Sequence, residues 1–103
     1  MEEWLAADVE RMLHPFAPDF VLFLYTPLCG TCKKAERMLE VLQVMRPHLP
    51  VYKVNINLLP ELAQSWKVTS IPCVAVISRG KVIDRLYAMR SVDHLDNFLQ
   101  TYF

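Results

Sequence analysis

A chain of 103 residues, 53% of them apolar, has room for one hydrophobic core in one domain, residues 1–103, and none for a second. Eleven Lys and Arg balance eleven Asp and Glu, so no basic excess points to nucleic acid and no acidic tail to disorder. The apolar runs, of which FVLFLY is typical, are far too short to span a membrane, and the acidic start MEEWLAADVE is unlike a signal or transit peptide, so a soluble cytoplasmic protein is expected.

Leu5, Val9, Met12 and Leu13 recur at helical spacing and predict a first helix over about residues 2–13, ended by His14-Pro15. Residues 20–25, FVLFLY, lack the polar alternation of a half-exposed strand and read as a central parallel strand buried on both faces. After Thr26-Pro27-Leu28 the period changes. Ala35, Met38, Leu39, Leu42 and Met45 form one helical stripe, which Pro47 closes. Val51–Ile56 reads as a second strand, followed by a short helix opened by Pro60 and carrying Leu62 and Trp66. The last third predicts a hairpin, CVAVIS and KVIDRLY about a turn at Arg79-Gly80. A final helix follows, with Val92, Leu95, Phe98, Leu99 and Tyr102. The order is α-βαβα-ββα. A parallel first unit and an antiparallel last pair, with apolar strands throughout, predict an α/β fold, a three-layer α/β/α sandwich around a mixed four-stranded sheet.

The chemistry-bearing residues are the cysteines. Cys29, Cys32 and Cys73 are odd in number, which argues against a secreted disulfide framework. In a reducing compartment the Cys29/Cys32 pair is catalytic or metal-binding rather than structural. A closed zinc site needs four ligands, and the remaining candidates, Cys73, His14, His48 and His94, do not fall at zinc-finger spacing. Redox chemistry is therefore preferred over metal, and no metal or other cofactor is expected. Trp4, Trp66 and the methionines read as packing residues.

Strand, then Cys29-Gly30-Thr31-Cys32 with Lys33 opening a helix, then Lys53 in YKVNIN, then Trp66-Lys67-Val68-Thr69-Ser70-Ile71-Pro72, then a hairpin at Gly80: this series resembles the thioredoxin superfamily over about residues 18–103. The resemblance implies a thioredoxin-like fold with a CGTC redox site and a cis bond before Pro72. It also shows departures. Thr31 stands where proline is usual, Leu28 where tryptophan is, Cys73 where threonine is and Ala88 where glycine is. Phe23 stands where the family has a buried aspartate beneath the site, so Lys53 lacks that partner.

On this scaffold the spacing assigns roles. Cys29 at a helix N-terminus meets unsatisfied N–H groups and the positive end of the helix dipole, both of which favour its thiolate. Cys32, one turn on and deeper, resolves the mixed disulfide that Cys29 forms. Gly30 is expected to allow a tight turn and a close approach by substrate. Thr31 is expected to restore a backbone N–H that steadies the Cys29 thiolate, giving a potential less reducing than the value of about −270 mV typical of thioredoxin. A cis Pro72 would leave the backbone of Ile71 free to pair with an incoming peptide beside Leu28. Lys53 and Cys73 are candidate modulators. The plainer expectation is that Lys53 points to solvent and Cys73 is a small buried hydrophobe; the sharper one places them near the CxxC pair.

The function expected is a cytoplasmic thiol–disulfide oxidoreductase. It would be a monomer that reduces disulfides in partner proteins and draws electrons from a reductase or a low-molecular-weight thiol, with no nucleic-acid or membrane partner. The competing expectation is a non-catalytic thioredoxin-fold adaptor or redox sensor.

Overall fold

Why FVLFLY carries no polar residue becomes plain in the computed structural model, which describes residues 1–103. The elements are β1 (Glu2–Glu3), α1 (Ala6–Arg11), β2 (Phe20–Tyr25), α2 (Gly30–Met45), β3 (Val51–Asn55), a 3-10 turn at Ile56–Leu58, α3 (Pro60–Ser65), β4 (Cys73–Ser78), β5 (Lys81–Leu86) and α4 (Val92–Gln100). The sheet order is β1-β3-β2-β4-β5, which puts β2 in the middle. It runs parallel to β3 and antiparallel to β4, and β4 and β5 form an antiparallel hairpin.

Side chains on a strand alternate between faces, so β2 feeds two cores. Val21 and Phe23 pack with Ala35, Leu39 and Leu42 of α2 and with Leu95 and Leu99 of α4. Phe20, Leu22 and Leu24 pack on the other face with Val9 of α1 and with Leu59 and Trp66, which flank α3. The three-layer sandwich follows from that alternation. Arg46 fastens the first layer at its far end, donating from Nη1 to Asp96 at 3.1 Å and from Nη2 to the carbonyl of Phe103 at 2.6 Å. At the hairpin, Arg79 and Gly80 both have positive φ, the backbone that a two-residue turn between twisted strands requires.

Tyr87, Trp66 and Tyr102 fall just beyond β5, α3 and α4, and three further differences from the sequence expectation have a visible cause. The sheet has five strands rather than four, because Glu2–Glu3 pairs in parallel with Tyr52 and Lys53. Two charged residues carry no strand pattern; Trp4 holds the segment in place. Its N–H donates to the carbonyl of Lys53 at 2.8 Å, and its indole stacks on Tyr52 with centroids 4.0 Å apart. The first helix is accordingly Ala6–Arg11 instead of 2–13. The Asp8 carboxylate accepts the Leu5 N–H at 2.8 Å and starts the helix there. Ile56 leaves the second predicted strand because the Asn55 side chain accepts the Asn57 N–H at 3.0 Å and begins the 3-10 turn.

Candidate functional site

The central strand delivers the chain to the C-terminal end of the sheet, where Thr26–Leu28 turn it into α2. Cys29 is the N-cap of that helix, with extended backbone, and its Sγ accepts the N–H of Cys32 at 3.1 Å. The Thr31 hydroxyl lies within hydrogen-bonding reach of the same sulfur, at 3.3 Å. Cys29 and Cys32 form a disulfide with Cα atoms 5.2 Å apart, so the Cys29 sulfur here stands in for the thiolate of the reduced protein. Its donors are thus the Cys32 N–H and the Thr31 hydroxyl, whereas the sequence had pointed to the N–H of Thr31 itself.

The two sulfurs differ in access. Cys32 is 2% exposed and belongs to the core layer under α2, while Cys29 is partly exposed at the rim. Leu28, beside Cys29, is 99% exposed, an apolar side chain standing free next to the more accessible sulfur. Gly30 corrects part of its expectation. It sits inside α2 without a positive φ, so no turn demands glycine there. A Cβ would meet nothing within 4 Å, and the space in front of the disulfide is open.

The Ile71–Pro72 peptide bond is cis. Cys73 pairs with Leu24 at the start of β4, which brings Pro72 to the same end of the sheet as the disulfide. Pro72 and Thr31 line one groove, and Ile71 and Cys29 both pack against the core layer that holds Cys32. Leu28, Cys29, Thr31, Cys32, Ile71 and Pro72 therefore converge, although some forty residues separate the two segments.

Of the two candidate modulators, Cys73 does not join them. Cys73 shares the face of Leu24 and lies in the α1/α3 core, across the sheet from Cys32. It is a free thiol, fully buried, and burial pushes its pKa up to about 11 despite the opposing pull of the Arg85 charge. That removes the reading of a third thiol beside the disulfide. Lys53 lies in register with Phe23 and does not stand free in solvent: its Nζ pairs with Glu36 Oε1 at 3.4 Å, both side chains being about a quarter exposed.

Glu36 and Tyr25 are the residues sequence reasoning passed over. Glu36 sits one helical turn after Cys32, a spacing visible in the sequence, yet its partner Lys53 comes from a strand 17 residues away. Tyr25 stacks on Phe23 with centroids 6.0 Å apart and donates its hydroxyl to the Glu3 carboxylate. Burial first, then Glu3 and more weakly Glu36, push its pKa to about 12. Phe23, in the core layer with Cys32, is fully buried, with Lys53 in register beside it and Tyr25 stacked on it. No three His, Cys, Asp or Glu side chains cluster as metal ligands.

Comparison with known proteins agrees with this geometry. The family model described as thioredoxin matches residues 6–101. Thioredoxin-like protein YusE of Bacillus subtilis is 41% identical over 76 residues, covering 74% of this chain and 72% of that one. Thioredoxin of Chlamydia trachomatis is 34% identical over 87 residues, covering 84% and 85%. Among solved structures, thioredoxin of Fasciola hepatica superposes with a TM-score of 0.79 over the full length of both chains, at 23% identity.

Proposed function

The chain belongs to the thioredoxin family, and from that premise we propose that it reduces disulfides in partner proteins, with Cys29 as nucleophile and Cys32 as resolving thiol. The observation that carries the assignment of roles is the asymmetry at the N-terminus of α2. Cys29 is reachable and its sulfur accepts the Cys32 N–H; Cys32 is buried behind it.

In the reduced protein the Cys29 thiolate attacks one sulfur of the substrate disulfide, and the other sulfur leaves as a thiolate that takes up a proton. Cys32 then gives up its proton and attacks the Cys29 sulfur. The second substrate sulfur leaves, and the Cys29–Cys32 disulfide forms. The substrate gains two electrons and two protons, and the protein loses the same. A dithiol reductase or a low-molecular-weight thiol returns them, in a cytoplasmic setting where such donors hold thiols reduced.

The helix dipole, the Cys32 N–H and the Thr31 hydroxyl all stabilise the Cys29 thiolate relative to a free cysteine. Favouring the reduced form in this way supports a potential less reducing than about −270 mV. Ile71, Pro72 and the exposed Leu28 would take an extended substrate segment.

The test is reduction of insulin by the protein with a chemical dithiol as donor. Cys29→Ser is expected to abolish turnover, and Cys32→Ser to accumulate mixed disulfides with protein substrates. A Cys29→Ser variant as active as the parent would overturn the assignment, as would failure of Cys32→Ser to trap any partner.

A further inference from the structure

The chain as a whole is neutral, but its charge is unevenly distributed. Three segments meet at the end of the sheet that bears the disulfide: residues 28–34 after β2, residues 67–72 before β4, and residues 87–91 after β5. Their convergence follows from the strand register, in which Leu24 faces Cys73 and Val74 faces Leu86. Together they contain Lys33, Lys34, Lys67 and Arg90 and no acidic residue. The other seven cations of the chain are set against all eleven acids, so the rest of the molecule is net negative by four. All four site cations are exposed, and none takes part in an ion pair. The N-terminus of α2, with no acid in its first turn, lies at the same end and adds partial positive charge, whereas α4 carries Asp93 in its first turn.

Two of these cations flank a specific feature. A groove of about 540 Å³ runs from Thr31 and Pro72 between α2 and the segment after β5. Met38, Pro72 and Met89 give it apolar, adaptable walls, and Lys34 and Arg90 stand at its sides. No carboxylate lines it. The acids nearest in sequence, Glu36 and Asp93, are outside it, Glu36 being paired with Lys53.

We infer that this groove receives an extended segment of a partner protein that carries an acidic side chain beside its own disulfide-bonded cysteine. The inference rests on the oxidoreductase reading and narrows its substrate class. An apolar trough accommodates the side chains of the segment. Lys34 and Arg90 meet its carboxylate in the groove that begins at Thr31, and Lys33 and Lys67 extend the attractive field over the approach. Such complementarity acts mainly on the encounter rate and on discrimination between partners.

The experiment is a single turnover of the pre-reduced protein with two fluorogenic disulfide peptides, identical except for Glu or Lys on both sides of the cysteine. In low salt the Glu peptide is expected to react about tenfold faster, a ratio that shrinks towards one as salt shortens the screening length to about 3 Å near 1 M. Charge reversal in a Lys34→Glu/Arg90→Glu variant is expected to invert the preference. Lys81→Glu, on the exposed hairpin at the opposite end, is expected to leave the ratio where it was. Equal rates for the two peptides, or a ratio indifferent to Lys34→Glu/Arg90→Glu, would overturn this inference while leaving the reductase reading intact. Competition by oxidised glutathione with no discrimination between peptides would overturn it in favour of a small-anion site. Failure to reduce either peptide would overturn both readings together.

Discussion

Two buried side chains decide how the thiol chemistry is partitioned. Cys73 is a cysteine adjacent to the Pro72 corner, yet its environment makes it inert. With a pKa near 11, its thiolate fraction at pH 8 is about one part in a thousand, and no surface leads to it. After reduction, iodoacetamide at pH 8 is expected to label Cys29 first, and Cys73 only once denaturant is added, as mass mapping of the labelled peptides will read. Because folding raises this pKa, the neutral thiol favours the native state below the ordinary cysteine range, and that contribution is lost as pH rises through about 11. Phe23 acts by what it does not supply. In the proposed mechanism Cys32 loses its proton to resolve the mixed disulfide, and Phe23, in the same core layer, is hydrocarbon. Phe23→Asp is expected to speed resolution in stopped-flow single turnovers, most visibly at low pH. It should also lower stability by about 3 kcal/mol, since a carboxyl replaces a buried ring. The spacing of Cys29 and Cys32 was readable directly. That Cys73 and Cys32 face opposite ways was not, because it depends on which residue of β2 lies beside Cys73.

Among the elements, β1 and α2 show how short-range patterns succeed or fail. The stripe of α2, from Ala35 to Leu42, repeats at helical spacing and was legible, as was Cys29 at the helix N-terminus, although the helix opens at Gly30 rather than Lys33. Strand β1 has two residues, both glutamates, and its existence depends on Trp4 seating against Tyr52 and Phe20. Trp4→Ala removes that indole and is expected to cost about 3–5 kcal/mol in urea unfolding, with loss of β1 and α1 order ahead of the rest. No pattern of period two or 3.6 reports such a strand, since a tryptophan contact across the sheet creates it.

For the molecule as a whole, the layering predicts an order of opening. Strands β2 and β4 are paired on both sides and covered on both faces, with Val21–Leu24 and Cys73–Ile77 fully buried. Strand β1 is an edge of two residues, and α1 has six. Amide hydrogen exchange is expected to be slowest in β2 and β4, at the rate of global unfolding, and fastest in β1 and α1. Comparable protection in β1 and β2 would contradict this. The uneven charge belongs here as well: a neutral chain is folded so that the three segments meeting at the disulfide carry four cations and no acid.

Residue order alone was enough for the three layers, the central buried strand, and a dithiol at a strand-to-helix junction, because these depend on periodicity and spacing within a few turns of chain. Tertiary structure supplied the fifth strand, the side of the sheet on which Cys73 lies, the Lys53–Glu36 pair, and the acid-free groove between Lys34 and Arg90. Each of those is a contact between segments far apart in sequence. Strand register and strand order set which residues meet, and a shift of one residue would send every side chain to the other face.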